Sequence, residues 1–223
     1  MTAGILSAVL AAYSSGVILA FKSTYADETD DTVYTNTAAD IGNAGARHVI
    51  VGVMSRVSAG TGIIPTSVTV GGVSATLVAS GITASERNTA SLWIAAVPTG
   101  ATGDIVATFA ATVQRMGMAW WSAYGLSSAT PTDTATSNVS GAALDVDVSA
   151  GGIAIGYVGD GSTSTITWTW TGVTEEFDEA IGSGNGWHSG GSYTATTAQT
   201  PLAITSTASG SPGGDQYVTA SFR

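Results

Sequence analysis

Short runs of alternating apolar and polar residues, separated by glycine-marked turns, fill most of this chain. The clearest run covers residues 66–70, where Val68 and Val70 alternate with polar side chains before Gly71 and Gly72. A period of two is typical of a strand with one buried face, and paired glycines supply the positive φ angles of a tight hairpin turn. We therefore predict a β-hairpin over residues 67–78.

Comparable strand patterns recur along the whole sequence. The segment 48–57 is almost entirely apolar at its start, which predicts a central strand covered on both faces. The segment 144–158 reads as a second hairpin, 129–137 as a polar connector between sheets, and 174–192 as a long acidic and glycine-rich loop. Further strands are predicted at 17–21, 33–35, 91–97, 105–109, 116–124, 165–170, 192–197, 202–207 and 217–222.

About a dozen short strands with almost no amphipathic helix predict an all-β fold, an antiparallel β-sandwich of jelly-roll-like type. We predict one domain over residues 17–223, preceded by a short N-terminal arm, residues 1–16. No repeat of fixed period is visible in the sequence, which disfavours propellers and solenoids.

The N-terminal segment is apolar but matches neither a secretory signal nor a membrane span. No cationic side chain precedes its apolar run, and Ser7, Tyr13 and Gly16 interrupt it. A short amphipathic arm is the better interpretation. Two roles stay open for it: covering the core of its own chain, or docking on a neighbouring subunit.

Charge and cysteine content exclude several functions. The 223 residues include 6 basic and 16 acidic side chains, for a net charge of -10, so no basic patch can form. Binding to nucleic acid or to an anionic membrane is therefore disfavoured. The chain has no cysteine, which removes disulfides, thiolate nucleophiles and cysteine-based metal sites.

Candidate catalytic residues are few. His48 opens a strand with a buried pattern and is expected to be structural, whereas His188 is expected in an exposed mobile loop. Two acidic clusters, residues 27–31 and 175–179, lack the ligand spacing of a calcium loop and read as solvated charges. Glu176 and Asp178 would serve a glycosidase only if their carboxyl groups flanked a glycosidic bond at the separation of about 5 to 10 Å that the known mechanisms require. The sequence predicts no enzyme, no catalytic residue, no metal site and no cofactor.

Tryptophans are the remaining candidates for ligand binding. Trp168 and Trp170 share one face of a predicted strand and would form either a stacking platform for a sugar ring or part of the core. The core is the favoured alternative, because the other residues of the strand are threonines and one heavy apolar face is needed. Trp187 lies among glycines and is the tryptophan best placed to contact a partner.

Several phrases of the sequence resemble phage and prophage structural proteins of the virion. They include SVTVGGVSATLV, LWIAAVPTGATGDIVATF, GLSSATPTDTATS, SAGGIAIGY, TWTGVTEEFDE, TAQTPLAITST and the terminal ASFR, and together they cover roughly residues 21–223. The resemblance implies a β-sandwich displayed on a particle, as a capsid decoration or cement protein, a spike or turret, or a tail or fibre component. It carries over no functional residues.

From this resemblance we expect location in the virion and contacts with a major capsid, vertex or tail protein and with further copies of the chain. The leading hypothesis is a non-enzymatic structural protein of a phage particle. The alternative is a carbohydrate-binding or host-adhesion module that contacts a host surface glycan, for which Trp168, Trp170 and Trp187 are the candidate residues.

Overall fold

The computed structural model describes residues 16–223, so the predicted arm 1–16 lies almost entirely outside the described residues. The described chain forms β-strands and no helix. The strands of its first half are β1 (Ile18–Asp27), β2 (Asp31–Asp40), β3 (Arg47–Arg56), β4 (Ser67–Val70), β5 (Val73–Ser74), β6 (Thr76–Ile82), β7 (Asn88–Ala96), β8 (Thr102–Val113) and β9 (Arg115–Tyr124). Those of its second half are β10 (Asp133–Ser137), β11 (Val146–Val148), β12 (Ile153–Asp160), β13 (Trp168–Thr171), β14 (Thr174–Ala180), β15 (Trp187–Thr194), β16 (Gln199–Leu202), β17 (Thr205–Ala208) and β18 (Gln216–Phe222).

The strands form four stacked layers. Inner sheet I has the order β1-β9-β3-β7-β6, and inner sheet II has the order β10-β18-β12-β15-β14. An outer sheet, β2-β8-β4-β5, covers sheet I, while two small sheets, β11-β16 and β13-β17, cover sheet II. All neighbouring strands are antiparallel, so the prediction of an all-β sandwich is confirmed.

Three hydrophobic cores separate these layers. The first lies between the outer sheet and sheet I, the second between sheets I and II, and the third between sheet II and the two small sheets. Strand β3 contributes to two of them, because Val49, Val51 and Val53 point into the first core and Ile50 and Met54 into the second. This confirms the prediction of a central strand buried on both faces.

The two halves of the chain repeat one topology. We call β1–β9 module 1 and β10–β18 module 2. Sheets I and II have equivalent strand orders, in which β9, β3, β7 and β6 correspond to β18, β12, β15 and β14. The outer pairings β2-β8 and β8-β4 correspond to β11-β16 and β17-β13. Strand β8 is continuous over 12 residues, whereas its counterpart is divided into β16 and β17.

Strand register repeats along with the topology. The β6–β7 hairpin has a β-bulge between Leu77 and Ala79, and the β14–β15 hairpin has one between Glu175 and Phe177, 98 positions later. Every pair of Cα partners in the first hairpin keeps that offset in the second. Because bulges depend on local geometry, a bulge at the same register position is strong evidence for a structural duplication.

The modules pack against each other about an approximate twofold axis. Strand β6 contacts β10, and at the opposite edge the Thr24 hydroxyl of β1 donates to a Glu179 carboxylate oxygen of β14 at 2.6 Å. These two contacts are exchanged when module 1 and module 2 are exchanged. The arrangement resembles an isologous dimer joined into one chain.

Near that axis, one pair of equivalent positions in the two modules differs strongly in side-chain size. Gly52 and Tyr157 hold the same register position, since Gly52 pairs with Leu92 and Ala119 while Tyr157 pairs with Gly190 and Val218. A Cβ on Gly52 would lie 2.6 Å from the Tyr157 ring. The absence of a side chain at Gly52 therefore provides the space that the tyrosine ring occupies.

Other sequence predictions meet the structure with mixed results. The turn at Gly71 and Gly72 is confirmed, with φ angles of 57° and 79° between the directly paired Val70 and Val73. The hairpin is shorter than the predicted 67–78, because it ends with β5 and residues 76–78 begin β6 in sheet I. The predicted loop 174–192 is wrong, because it contains β14 and most of β15. The jelly-roll-like detail and the domain bounds 1–16 and 17–223 stay predictions.

The predicted hairpin 144–158 is also wrong. Strand β11 pairs with β16, whereas β12 pairs with β15 and β18, so the turn at 150–152 joins two different sheets. The alternation of apolar and polar residues was genuine, but it did not specify the partner strand. The predicted polar connector 129–137 is confirmed only for residues 129–132, which join the modules, because residues 133–137 form β10.

We predict that Gly52→Ala lowers the free energy of unfolding by about 1–3 kcal/mol, because the added methyl group overpacks the ring of Tyr157. Gly186→Ala is the matched control, since a Cβ there would meet its nearest atom at an ordinary 3.4 Å. Chemical denaturation measures both. The double variant Gly52→Ala/Tyr157→Leu should lose less than the sum of the two single losses; additive losses would contradict direct packing.

Candidate functional site

The tryptophan pair proposed from sequence lies in the core. Trp168 and Trp170 are 3% and 7% exposed and pack between sheet II and the small sheets. Their indole N–H groups donate to the Tyr217 hydroxyl at 3.3 Å and to the Ser189 hydroxyl at 2.9 Å. Neither ring forms a platform for an external ligand. Trp187 is half-buried at the start of β15, and its indole N–H has no partner among the described residues.

The exposed mobile loop predicted around His188 is wrong. His188 lies in β15 and is completely buried, with Nδ1 at 3.1 Å from the Tyr157 hydroxyl. Burial lowers the pKa of its imidazole to about 3, so the side chain is neutral at physiological pH. The prediction was wrong because glycines near His188 suggested a loop, whereas in the structure they make room for neighbouring side chains. A Cβ at Gly190, for example, would approach the Phe177 ring to 2.8 Å. His48 is half-buried at the start of β3, and burial lowers its pKa as well.

Glu176 and Asp178 point to opposite faces of sheet II. Glu176 accepts hydrogen bonds from the Trp121 indole N–H at 2.5 Å and the Ser192 hydroxyl at 2.9 Å, in the core between the modules. Asp178 accepts the backbone N–H of Trp168 at 2.8 Å, on the other face. Two carboxylates with this orientation cannot flank one glycosidic bond. Burial raises the pKa of both groups, that of Asp178 to about 6.

The acidic segment 27–31 makes structural hydrogen bonds. Asp27 Oδ1 accepts the N–H and O–H of Thr29 at 2.8 and 2.6 Å, and these bonds outweigh burial and lower the pKa of Asp27. Glu28 Oε2 accepts the N–H and O–H of Ser183 at 2.8 and 3.0 Å. The segment thus ties the β1–β2 turn to the β14–β15 turn.

A buried carboxylate pair that the sequence analysis missed lies at the module junction. Asp160 ends β12 and is completely buried; its Oδ1 accepts the Ser162 N–H at 2.7 Å and its Oδ2 the Gly213 N–H at 2.6 Å. Asp215 is 3% exposed and accepts the Tyr217 hydroxyl. Burial, together with a hydrogen bond and charge repulsion from Asp160, raises the pKa of Asp215 to about 7.

Module 1 contributes an asparagine to the same junction. Asn88, at the start of β7, is 1% exposed, and its Nδ2 donates to the carbonyl oxygens of Gly213 and Gly214 at 2.7 and 3.1 Å. Its Oδ1 fills the space beside the Gly161 Cα and has no hydrogen-bond donor. One carboxamide therefore contacts both loops that carry the aspartates.

A cleft of about 330 Å³ opens at this junction. Its lining residues are Glu86, Asn138, Val139, Ser140, Pro212, Gly214 and Asp215. Glu86 is half-buried, and its carboxylate lies against Gly214. Burial and the charges of Arg115 and Arg87 lower the pKa of the nearby Arg56, an effect that Asp160 partly offsets, and the Arg56 Nη1 donates to the Asn185 carbonyl at 2.7 Å. At this junction, and not at the other sites described above, a cleft lies beside buried polar atoms that have no hydrogen-bond partner.

The sequence held one local signal for this junction. Both aspartates adjoin glycines, as Gly159-Asp160-Gly161 and Gly213-Gly214-Asp215. Their proximity was not visible because β13 to β17 lie between them along the chain.

Comparisons with known proteins do not assign the chain. No family model matches it, and no curated protein is significantly similar. Within residues 16–223, no three His, Asp or Glu side chains gather as a metal-binding group. The same part of the chain contains no helix of sufficient length and apolarity to cross a membrane.

We predict that Asp178→Asn stabilises the protein at pH 7.5. The pKa of Asp178 is raised in the folded state, so its contribution to stability is lost as pH rises from about 4, the unfolded value, to about 6. Asparagine keeps an acceptor for the Trp168 N–H. Thermal melts at pH 4 and pH 7.5 should show the difference from wild type only at the higher pH, and Asp30→Asn, exposed in the β1–β2 turn, serves as the control. A less stable Asp178→Asn protein at pH 7.5 would refute this assignment.

Proposed function

We propose that this protein is a non-enzymatic structural component of a phage particle, most consistent with a capsid decoration, cement or spike protein. The observation that carries the proposal is the four-layer stack, in which one chain joins two sandwiches through a shared core. Such a stack resists deformation because each inner sheet is buried on both faces. A protein that works by static contact needs this stiffness.

The residues that first suggested chemistry have structural roles. His188 is neutral and buried between the inner sheets, while Glu176 and Asp178 hold indole and backbone N–H groups on opposite faces. These contacts favour a structural protein over a hydrolase. The resemblance of the sequence to virion proteins supports the same choice.

The proposed partners are a major capsid, vertex or tail protein and further copies of this chain. Residues 1–16 are the proposed attachment segment, since they depart from the strand pattern of the rest. The net charge of -10 would keep free copies apart before assembly. Once assembled, many weak contacts across symmetric copies add through avidity.

A host-adhesion module is the second candidate, and Trp187 is the observation that favours it. A partly exposed indole ring is a stacking surface for a sugar, although the Trp187 Nε1 itself is buried and does not reach an external ligand. Trp168 and Trp170 give this candidate no support because both rings are buried.

Quantitative mass spectrometry of gradient-purified phage particles tests the leading proposal. We expect the protein at a fixed ratio to the major capsid or tail protein, unchanged by a high-salt wash and a second gradient. An abundant soluble host protein in the same preparation is the control for carry-over. Loss of the protein to the level of that control would remove the proposal.

Glycan-array binding separates the two candidates. Under the structural proposal, wild type and Trp187→Ala both give background signal. Under the adhesion proposal, wild type binds a glycan class and Trp187→Ala loses at least tenfold of that signal, equivalent to about 1.4 kcal/mol. Trp93→Phe, altered in the first core, serves as a control for nonspecific effects of losing an indole.

A further inference from the structure

One peptide bond of the β14–β15 turn is suited to spontaneous chemical change. Asn185 precedes Gly186, and this is the one Asn-Gly step in the 223 residues. At such a step the backbone nitrogen of the glycine can attack the side-chain carboxamide of the asparagine, because glycine has no Cβ to hinder the approach. The remaining asparagines all precede residues that carry a side chain, at Asn36, Asn43, Asn88 and Asn138.

The turn leaves both reacting groups without hydrogen bonds that would hold them apart. Residues 181–186 lie between β14 and β15 and belong to no strand. The Asn185 carboxamide is half-buried and makes no hydrogen bond with residues 16–223. Within the same range the Gly186 N–H donates to no acceptor, although the Gly186 carbonyl accepts the Ile181 N–H at 2.8 Å. Neither group therefore has to break a hydrogen bond before the two meet.

Arg56 places a positive charge on the same peptide group. Its Nη1 donates to the Asn185 carbonyl oxygen at 2.7 Å. That oxygen belongs to the peptide bond whose nitrogen, on Gly186, has to lose its proton before it attacks. Much of the negative charge of a deprotonated amide lies on its oxygen, so a cationic donor at that oxygen stabilises the nucleophile. Sheet I fixes Arg56 at the end of β3, where it pairs with Asn88 of β7 and Arg115 of β9.

The comparable step Asp160-Gly161 is protected by the fold. It is the one Asp-Gly step of the chain. Asp160 is completely buried, and its carboxylate oxygens accept the N–H groups of Ser162 and Gly213 at 2.7 and 2.6 Å. These bonds fix the side chain, so the Gly161 nitrogen has no mobile carboxyl carbon to attack. The contrast assigns the reactivity to Asn185 alone.

We propose that Asn185 is a site of self-modification, at which the asparagine converts to aspartate and isoaspartate without an enzyme. The Gly186 nitrogen loses its proton and bonds to the Asn185 Cγ, while the bond from Cγ to the carboxamide nitrogen breaks and that nitrogen leaves as ammonia. The resulting succinimide ring takes up one water, which opens either of its two C–N bonds. In total, one carboxamide and one water give one carboxylate and one ammonium ion.

The product adds a negative charge where the modules meet. Arg56 belongs to module 1 and Asn185 to module 2. Among residues 16–223 the one ion pair joins Lys22 to Asp40, so Arg56 has no carboxylate partner before the reaction. The carboxylate formed at residue 185 arises on the residue whose carbonyl already binds the Arg56 guanidinium. This inference does not depend on the proposed role in a particle.

Peptide mapping of the full chain by mass spectrometry, after incubation at pH 8, tests for the modification. We expect the peptide with Asn185 to gain the mass difference between NH₂ and OH, while peptides with the other asparagines stay unchanged. A synthetic peptide of residues 181–188, incubated in parallel, sets the time scale. An unmodified Asn185 in the protein after this reference peptide has fully converted would overturn the proposal.

Matched variants test the part assigned to each group, and thermal melts confirm that each stays folded during the incubation. Gly186→Ala should slow the mass gain severalfold, because a Cβ hinders the attack yet meets its nearest neighbouring atom at an ordinary 3.4 Å. Arg56→Gln should slow it about tenfold, less than the roughly hundredfold loss of such a donor in an enclosed enzyme site. Arg56→Lys, which keeps a positive charge, should fall between. Arg87→Gln removes an exposed charge that does not contact Asn185 and should keep the wild-type rate. Equal rates in wild type and Arg56→Gln would contradict the role of Arg56.

Enzymatic methylation of isoaspartyl carboxylates identifies the product. We expect a methyltransferase specific for isoaspartate to label residue 185 of the incubated wild type, and to leave freshly purified protein and incubated Gly186→Ala near background. Asp160, held by its two backbone N–H donors, should stay unlabelled. Label at residue 160 with none at residue 185 would contradict the assignment.

Discussion

The contact of Tyr157 with Gly52 is the constraint on which the stacked arrangement depends. The two residues are equivalent in register and meet near the approximate twofold axis that relates the modules. Two tyrosines at this position would collide, and two glycines would leave a cavity. A tyrosine ring from one module and a glycine from the other fill the space without a collision or a cavity. The duplicated modules therefore have to differ where they meet most closely.

This contact sets the environment of the groups around it. The Tyr157 hydroxyl donates to the Gly117 carbonyl at 3.2 Å and lies next to the buried imidazole of His188. The rings of Phe177, Trp121 and Phe21 continue the same core toward the β1 edge. The side chains of this layer are buried, so its polar groups either find partners within the protein or shift toward their neutral forms. The aspartate pair at the module junction follows the same rule at the periphery of the layer.

Much of the fold could be predicted from local patterns. The period of two identified most strands, and the paired glycines at 71 and 72 identified the turn that they form. The apolar run of β3 identified a strand buried on both faces. These features depend on neighbouring residues alone. Partner choice does not, which is why the alternation in β11 and β12 suggested a hairpin that the structure lacks.

The duplication escaped sequence inspection for a physical reason. Equivalent strands are offset by 98 positions between β7 and β15, by 99 between β9 and β18, and by 105 between β3 and β12, because the connecting loops differ in length. No single period exists to be found. Side-chain size also differs at equivalent positions, with Leu92 matched by Gly190. The aspartate pair was invisible for a related reason, since its proximity arises only when both modules are assembled.

The outer layers make the two ends of this nearly symmetric molecule different. One end presents a four-stranded surface with the unbroken β8, and the other presents two separate ribbons. The two ends therefore offer different surfaces to a binding partner, as the two subunits of a heterodimer would.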